Sequence, residues 1–311
     1  MRVRVIATVV LVACCVSGLR LPEAPGGGGR FDSFRGTHAK SLSEALRLAS
    51  VVCPLFVGSY ARAASEAGKQ VVDLAQRIKE TDSLSFEPGL EARDVYYPQW
   101  FTGTFQANST GLGVWAPLGI EAFGGQNSYN AALKDVNTSL VYDCRFGPDS
   151  NLGGNIVADR LFNVESIARA SMGPDCVIPN YKQPDGDLAR RLHLVLSPKV
   201  GYDIYDIDLF PTDRLYSMDK RGGFQVMERT AQIISTRMEQ LKASPAKPFR
   251  KDIETIALYS RQSDDVIECL QRTATFLTRV DSRFEQAVAR TPSIADRAID
   301  IRLYRIIYTK L

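Results

Sequence analysis

The stretch that decides the fold is Tyr202-Asp203-Ile204-Tyr205-Asp206-Ile207-Asp208-Leu209. Its acidic and apolar residues alternate, and side chains two residues apart in a strand point to the same face of a sheet. The pattern therefore predicts an antiparallel strand with one buried face and one face in water. We expect Asp206 and Asp208 to share the solvated face and Asp203 to lie on the other.

Segments of the same kind are found along most of the chain, at 100–107, 136–146, 191–196, 223–233, 252–259, 266–277 and 298–309. Clusters of Gly, Pro and Asp separate them, which is typical of antiparallel strands joined by turns. The periodicity predicts an amphipathic N-terminal helix at 65–79, a loop at 81–97 and one short internal helix near 164–171. So many strands favour a sandwich or a barrel. We prefer an antiparallel β-barrel, because closure removes exposed strand edges.

Residues 1–63 have the composition of a targeting leader with two export signals. Two arginines precede an apolar run at 5–16 that ends in Val16-Ser17-Gly18, and this run is too short to span a bilayer. A basic segment with few acids follows, and then a second apolar run at 46–57 ends in Ala61-Arg62-Ala63, a cleavage-site pattern. The predicted organisation is a leader at 1–63, a helix and loop at 64–97, and a β-domain at 98–311.

The order of signal, transit segment and second signal resembles the tripartite leader of thylakoid-lumen proteins in algae whose plastids lie inside extra membranes. The resemblance implies a plastid protein of the thylakoid lumen. The alternative is a secreted glycoprotein with a β-barrel domain, in which 42–67 would be its first helix. Two Asn-x-Ser/Thr sequons, at Asn108 and Asn137, suit that alternative.

The basic excess of the chain belongs to the leader. Eight of the 38 Lys/Arg and three of the 35 Asp/Glu fall in residues 1–63, which leaves 30 basic and 32 acidic residues for 64–311. The part behind the leader is therefore slightly acidic and lacks the positive field that a phosphate backbone attracts. We expect no nucleic-acid partner and no membrane-spanning segment after residue 63.

Six short motifs appear in order behind the leader: Tyr97-Pro98-Gln99-Trp100-Phe101-Thr102-Gly103-Thr104-Phe105, Ala116-Pro117-Leu118-Gly119, Ala158-Asp159-Arg160-Leu161-Phe162-Asn163, Ile253-Glu254-Thr255, Leu270-Gln271-Arg272-Thr273-Ala274 and the segment 301–308. Together they resemble a family of unknown function from cyanobacteria and plastids with a lipocalin-like domain, over residues 94–310. The resemblance implies a lipocalin-like β-barrel and a plastid location, and it implies no reaction.

Trp100, Gly103 and Thr104 resemble the opening strand of a lipocalin-type barrel. In such a strand an aromatic ring closes one end of the barrel and Gly allows close backbone approach. Trp100 is therefore either the floor of a ligand cavity or a residue packed in the core.

Four arginines lie in or beside the predicted strands: Arg145, Arg160, Arg272 and Arg305. A buried arginine must be paired or meet an anionic ligand, because an isolated buried charge is very costly. We take Arg160, Arg272 and Arg305 as ligand-binding candidates, with a buried salt bridge or a cap on the barrel end as the alternative.

The supply of catalytic and metal-binding residues is small. His193 is the one histidine after the leader, so a Ser-His-Asp site would have to use it. Asp203, Asp206 and Asp208 are compatible with calcium or paired-carboxylate chemistry, or with a solvated strand edge. We predict no catalytic residue, no metal site and no cofactor. The cysteines after the leader are either three small buried hydrophobes or one disulfide and a free thiol: Cys144, Cys176 and Cys269.

These observations lead to competing hypotheses about function. The first is a non-enzymatic lumenal protein that binds a small apolar or amphipathic ligand (pigment, lipid or quinone) or docks on a photosynthetic membrane complex. The second is an enzyme that acts on such a molecule inside the barrel, which predicts a cavity carboxylate with a raised pKa. The third is an assembly protein with a large exposed apolar patch.

Overall fold

A computed structural model describes residues 74–80, 94–179, 181–183, 188, 190–197, 203–219, 221–238, 248–278 and 297–311. The leader at 1–63, most of the helix predicted at 65–79 and most of the loop predicted at 81–97 lie outside these residues. No helix in the described ranges is long and apolar enough to cross a membrane.

The described chain is mainly β, which confirms the predicted fold class. Its strands are β1 Gly103–Trp115, β2 Ser139–Asp149, β3 Asn155–Ala158, β4 Leu192–Leu196, β5 Asp203–Met218, β6 Phe224–Met238, β7 Phe249–Arg261, β8 Val266–Phe276 and β9 Ala298–Lys310. Its helices are α1 Leu74–Arg77, α2 Ile120–Phe123, α3 Gln126–Leu133 and α4 Arg160–Met172. Every pair of neighbouring strands is antiparallel, in the order β3-β2-β1-β9-β8-β7-β6-β5-β4.

β5 contains residues 203–209 of the alternating stretch that predicted an antiparallel strand. Ile207 and Leu209 are buried, whereas Asp206 and Asp208 are partly exposed on the opposite face, as the alternation predicts. The side chain of Asp203 lies outside the described set. The strand continues well past residue 209, through a register shift between Pro211 and Asp213. A bulge accommodates the proline because this residue has no N–H group for the ladder.

The sheet curls into a half-barrel in which β3 and β4 form the two ends of the strand order. The two end strands are not paired with each other in the described structure; instead α4 follows β3 directly and packs against both β2 and β4. Short segments cover the outer edges: the Tyr97 amide donates to the Ile156 carbonyl at 2.8 Å, and the Ile178 amide donates to the Val195 carbonyl at 3.0 Å. A closed barrel, as predicted, would have no exposed strand edges. In the half-barrel, short segments pair with or cover part of these edges instead.

Both faces of the central strands are buried. Phe101, Phe105 and Phe224 belong to the core of the inner, concave face. On the outer face, Leu74 and Ile78 of the N-terminal segment pack against the sheet, in a cluster with Met227, Ile256, Leu258 and Leu303. β7 is consequently buried at seven successive positions, so its burial pattern no longer alternates.

Several elements differ from the prediction. β1 begins at Gly103 because Trp100 belongs to a short 3₁₀ turn, Gln99–Phe101, and it then runs on to Trp115. β3 and the helices α2 and α3 were not predicted. α4 is longer than the predicted 164–171 segment, and it begins where the Asp159 side chain accepts a hydrogen bond from the Phe162 amide at 3.2 Å.

Candidate functional site

A cavity of about 130 Å³ lies on the concave face, between the sheet and α4. Strands β2 to β9, helix α4 and the segment before the first turn contribute side chains to its wall. Its lining includes aromatic, aliphatic and polar residues: Val95, Tyr97, Tyr142, Cys144, Phe146, Ala158, Arg160, Asn163, Val164, Ile167, Leu188, Leu192, Leu209, Pro211, Val226, Glu228, Thr230, Tyr259, Gln271 and Tyr308. A concave site of this composition, mostly apolar with a few polar groups, is the usual form of a small-molecule site.

Aromatic rings line one end of the cavity. The Tyr97 ring meets Phe146 edge-on at a centroid distance of 4.9 Å, and Tyr259 lies 6.1 Å from Tyr308. Burial raises the pKa of Tyr97, Tyr142, Tyr259 and Tyr308, so these phenols remain protonated at any ordinary pH. This end of the cavity therefore presents apolar ring faces and uncharged hydroxyl groups.

A compact charge cluster, composed of Asp94, Arg160, Arg214 and Glu228, lies at the side of the cavity. Arg160, the first residue of α4, places its Nη2 2.5 Å from Asp94 Oδ1 and 2.8 Å from Glu228 Oε2. Arg214 Nε lies 2.8 Å from the same Glu228 oxygen. The side chains of these groups are at most 16% exposed. Two positive and two negative charges make the cluster neutral, so Arg160 does not require an anionic ligand.

The pKa shifts follow from this arrangement. Burial alone would lower the pKa of Arg160, but the charges and hydrogen bonds of Glu228 and then Asp94 outweigh it and raise this pKa. Burial alone would raise the pKa of Glu228, but Arg160 and then Arg214 outweigh it and lower this pKa to about 2. All the shifted groups of the cluster are therefore held in their charged forms at neutral pH.

Several buried polar atoms of the concave face have no hydrogen-bond partner in the described part of the chain. They are Ser109 Oγ, Thr230 Oγ1, Thr255 Oγ1, Gln271 Nε2 and Thr273 Oγ1, in side chains that belong to residues at most 8% exposed. Thr230 and Gln271 line the cavity itself. An unsatisfied buried polar group costs about 1–3 kcal/mol and calls for a specific cause, such as a ligand or water.

The three described cysteines are free and buried, which confirms their interpretation as small core residues: Cys144, Cys176 and Cys269. Burial raises the pKa of each thiol, that of Cys176 to about 11. Cys144 lines the cavity, but as a protonated thiol it is a weak nucleophile.

The motif of Trp100, Gly103 and Thr104 lies beside the cavity and does not line it. The Trp100 ring is partly buried and stacks on Phe101, the fully buried ring of the pair, at a centroid distance of 4.4 Å. The carbonyl of Thr104 accepts a hydrogen bond from the Leu311 amide at 2.9 Å. In this structure the motif packs the core and binds the C-terminal end of the chain.

The candidate arginines are distributed over different surfaces. Arg160 lies in the cavity wall, as described. Arg272 is fully buried on the outer face of the sheet, where Nη1 lies 2.8 Å from Glu254 Oε1 and Nη2 donates to the Glu80 carbonyl at 2.6 Å. Arg305 is exposed and pairs with Glu268 at 2.6 Å. Only Arg160 of the three therefore contacts the cavity.

Arg145 and His193 also lie away from the cavity. Arg145 is half-exposed, pairs with Asp159 at 3.3 Å and lies over the Phe162 ring. His193 Nδ1 lies 3.1 Å from Asp208 Oδ1, and Nε2 lies 4.0 Å from Asp206, across the paired strands β4 and β5. No group of three or more His, Cys, Asp and Glu in the described residues could hold a metal ion.

Most of the residues that line the cavity were not predicted from the sequence. Tyr97 lies in the first motif and Gln271 in the fifth, but neither was chosen as a candidate, and Glu228 and Tyr259 were not singled out. Alternation along the strand could have indicated them. Glu228 follows the buried Phe224 and Val226 at a spacing of two residues on β6, so all three side chains lie on the same face of the sheet.

Comparison with known proteins adds one finding. No curated protein and no solved structure matches the chain. One family model does match, over the segment that contains Asp94, Tyr97, β1 to β4 and α4. Residues 89–196 are thereby similar to a domain of unknown function, DUF6816.

Proposed function

We propose that this protein is a non-enzymatic binding protein whose half-barrel holds a small, uncharged and largely apolar molecule. The observation that carries the proposal is the cavity between the concave face and α4, with rings at one end and a neutral charge cluster at its side. A net-neutral cluster offers no uncompensated charge to an ionic ligand, and the aromatic surfaces favour a ring.

The size of the cavity limits what enters it. An engineered cavity of about 150 Å³ in another protein binds benzene, and the cavity here has about 130 Å³. One ring therefore fits, and a longer amphipathic molecule would insert only its ring-bearing end. A quinone-type or lipid-type ligand with a single ring agrees with this limit better than a whole pigment molecule.

The electrostatics of the cavity favour binding over catalysis. The alternative, an enzyme acting on a lipid, quinone or pigment, requires a carboxylate with a raised pKa as its acid or base. Glu228 is the acidic residue that lines the cavity in the described chain, and its pKa is lowered to about 2. The thiol and the phenols of the wall have raised pKa values and are poor nucleophiles at neutral pH.

Docking on a membrane complex is the alternative binding mode. It calls for a contiguous apolar patch of several hundred Å². The large apolar side chains that are exposed in the described residues belong to α3, β2, β5, β6 and the C-terminus: Leu133, Val141, Met218, Ile233 and Leu311. No observation favours docking over the cavity.

The proposed location is the thylakoid lumen, and the order of the leader signals supports it. A fluorescent-protein fusion of residues 1–70 tests it, since import into the plastid is expected and release into the medium would contradict it. Asn108 and Asn137 are exposed, so the secreted alternative predicts glycan on the native protein. Loss of a glycan mass in an Asn108→Gln, Asn137→Gln variant would support secretion.

The binding proposal is tested with two neutral ring compounds, ethylbenzene and acetophenone, and the purified protein. Bound ligand stabilises the folded state by about 2.7 kcal/mol at a hundredfold excess over Kd, so the melting temperature should rise with probe concentration. Ala158→Phe fills the cavity and should abolish the rise, whereas Ala131→Phe on α3, which does not line the cavity, should not. The absence of any shift with either probe would refute the proposal.

A further inference from the structure

The concave face carries a contiguous set of unpartnered polar groups next to the aromatic end of the cavity. Thr255 on β7 and Thr273 on β8 are directly opposite each other in the ladder, and Gln271 is the preceding residue on the same face of β8. Thr255 Oγ1, Thr273 Oγ1 and Gln271 Nε2 all have no hydrogen-bond partner in the described residues. We call these three residues the inner polar strip.

The inner polar strip lies between the rings and the charge cluster. Thr255 on β7 is directly opposite Glu228 on β6. On β8, Gln271 follows Cys269 on the same face, and Cys269 is directly opposite Tyr259 on β7. Gln271 is 3% exposed and lines the cavity. Its unpartnered atom is thus placed where a ring seated among the tyrosines would direct a substituent.

The chemistry of the strip indicates which substituent fits. The Gln271 amide nitrogen can only donate, whereas a threonine hydroxyl can both donate and accept, so Gln271 Nε2 is the unpartnered atom of the strip that needs an acceptor. Valine would fit the threonine positions with the same shape and no unsatisfied group. A carbonyl oxygen on a neutral molecule supplies the missing acceptor, and it brings no charge to disturb the cluster of Asp94, Arg160, Arg214 and Glu228.

We propose that Gln271 recognises a carbonyl oxygen on a neutral ligand with a single ring, and that this ring lies among the cavity tyrosines. This inference rests on the proposed binding function and specifies its ligand class. The Gln271 amide donates to the carbonyl, Thr273 lies beside it on the same strand, and the ring contacts Tyr259.

Three probes of similar size test the carbonyl separately from the ring: acetophenone, ethylbenzene and benzoate. Isothermal titration of the purified protein should give acetophenone an affinity about tenfold higher than ethylbenzene, from a net gain of one to two hydrogen bonds. Benzoate should bind at least about tenfold more weakly than acetophenone, because Arg160, the cation that lines the cavity in the described residues, is already paired with Asp94 and Glu228.

Variants locate the effect at Gln271. Gln271→Met keeps the length of the side chain but removes the donor, so the preference for acetophenone over ethylbenzene should fall to about twofold or less. Gln106→Met is the matched control, since Gln106 is exposed on β1 and outside the cavity, and its preference should stay at the wild-type value. Ethylbenzene should bind the Gln271→Met protein at least as tightly as the wild type, which shows that the variant is folded.

The outcomes separate this inference from the proposed function. Equal affinities for acetophenone and ethylbenzene in the wild type would overturn the carbonyl inference and leave small-molecule binding intact. A preference that survives in Gln271→Met would overturn the role of Gln271. Tighter binding of benzoate would overturn the neutral class, and no binding of any probe would remove the proposed function itself.

Discussion

Glu228 gives the strongest test of the charge balance in the cavity wall. It accepts hydrogen bonds from Arg160 at 2.8 Å and from Arg214 at 2.8 Å, and its side chain is 7% exposed. Glu228→Gln keeps the shape of this side chain but removes the carboxylate charge that Arg160 and Arg214 share. Removing one partner of a buried ion pair destabilises a protein by about 3–5 kcal/mol, because the remaining charge is uncompensated.

The same group sets a pH dependence with a defined sign. The arginines lower the pKa of Glu228 from 4.5 to about 2, so the folded state binds its proton less readily than the unfolded state. The stabilisation is complete above about pH 4.5 and disappears as the pH falls toward about 2. The difference between these values corresponds to about 3 kcal/mol.

Urea unfolding at pH values from 2 to 7, followed by intrinsic fluorescence, measures both effects. Between pH 4.5 and 2, the unfolding free energy of the wild type should fall by about 3 kcal/mol more than that of Glu228→Gln. The matched control is Glu268→Gln, because Glu268 pairs with the exposed Arg305 and a pair of this kind contributes at most about 1 kcal/mol. Parallel pH curves for wild type and Glu228→Gln, or a loss at pH 7 no larger than in the control, would refute the reasoning.

Three further predictions concern the rest of the fold. Glu254→Gln should lower the unfolding free energy measured in urea by about 3–5 kcal/mol, because Glu254 is fully buried among arginines of the outer face. Its control is Glu80→Gln at the half-exposed end of the same cluster, which should cost less than about 1 kcal/mol. Gly103→Ala should cost about 1–3 kcal/mol, because Gly103 has φ +130° and a Cβ atom there would lie 3.0 Å from Lys310 Cε. Its control, Gly147→Ala, has open space and no positive φ, and should change the unfolding free energy by less than about 0.5 kcal/mol. Thiol reagents at pH 8 should label none of the buried cysteines until the chain unfolds, and early labelling would contradict their placement: Cys144, Cys176 and Cys269.

The strands could be predicted because their patterns come from local physics. In β5 the alternation of acidic and apolar residues gave the correct face for Asp206 and Asp208. The glycines at 111 and 113 interrupt such a pattern in β1, yet the strand continues through a register shift between them. A Cβ atom on Gly111 would lie 2.6 Å from the Asp135 carbonyl, so close approach of the neighbouring backbone requires the glycine. That contact is formed between distant residues and leaves no local signal.

The cavity residues were harder to predict. Alternation along a strand shows which residues share a face, but it does not show which face is the concave one. Gln271 and Arg272 are neighbours on β8 and point to opposite sides of the sheet. Both sides are buried here, so hydrophobicity alone does not distinguish the concave face from the outer one. The arginine attracted attention as a charge in a strand, and its buried pairing with Glu254 belongs to the outer face.

The outer face also connects the fold to the predicted leader. Arg77 and the Glu80 carbonyl reach the buried pair of Glu254 and Arg272, and Leu74 lies in the apolar cluster beside them. Cleavage after Ala63, as predicted, would leave residues 64–73 ahead of α1 and so retain every one of these contacts. The processed chain would therefore keep the cover of its outer face. This cover lets the half-barrel, whose end strands do not pair with each other in the described residues, bury both sides of its central strands. The concave face is then free to form a cavity, because the outer contacts already stabilise the sheet.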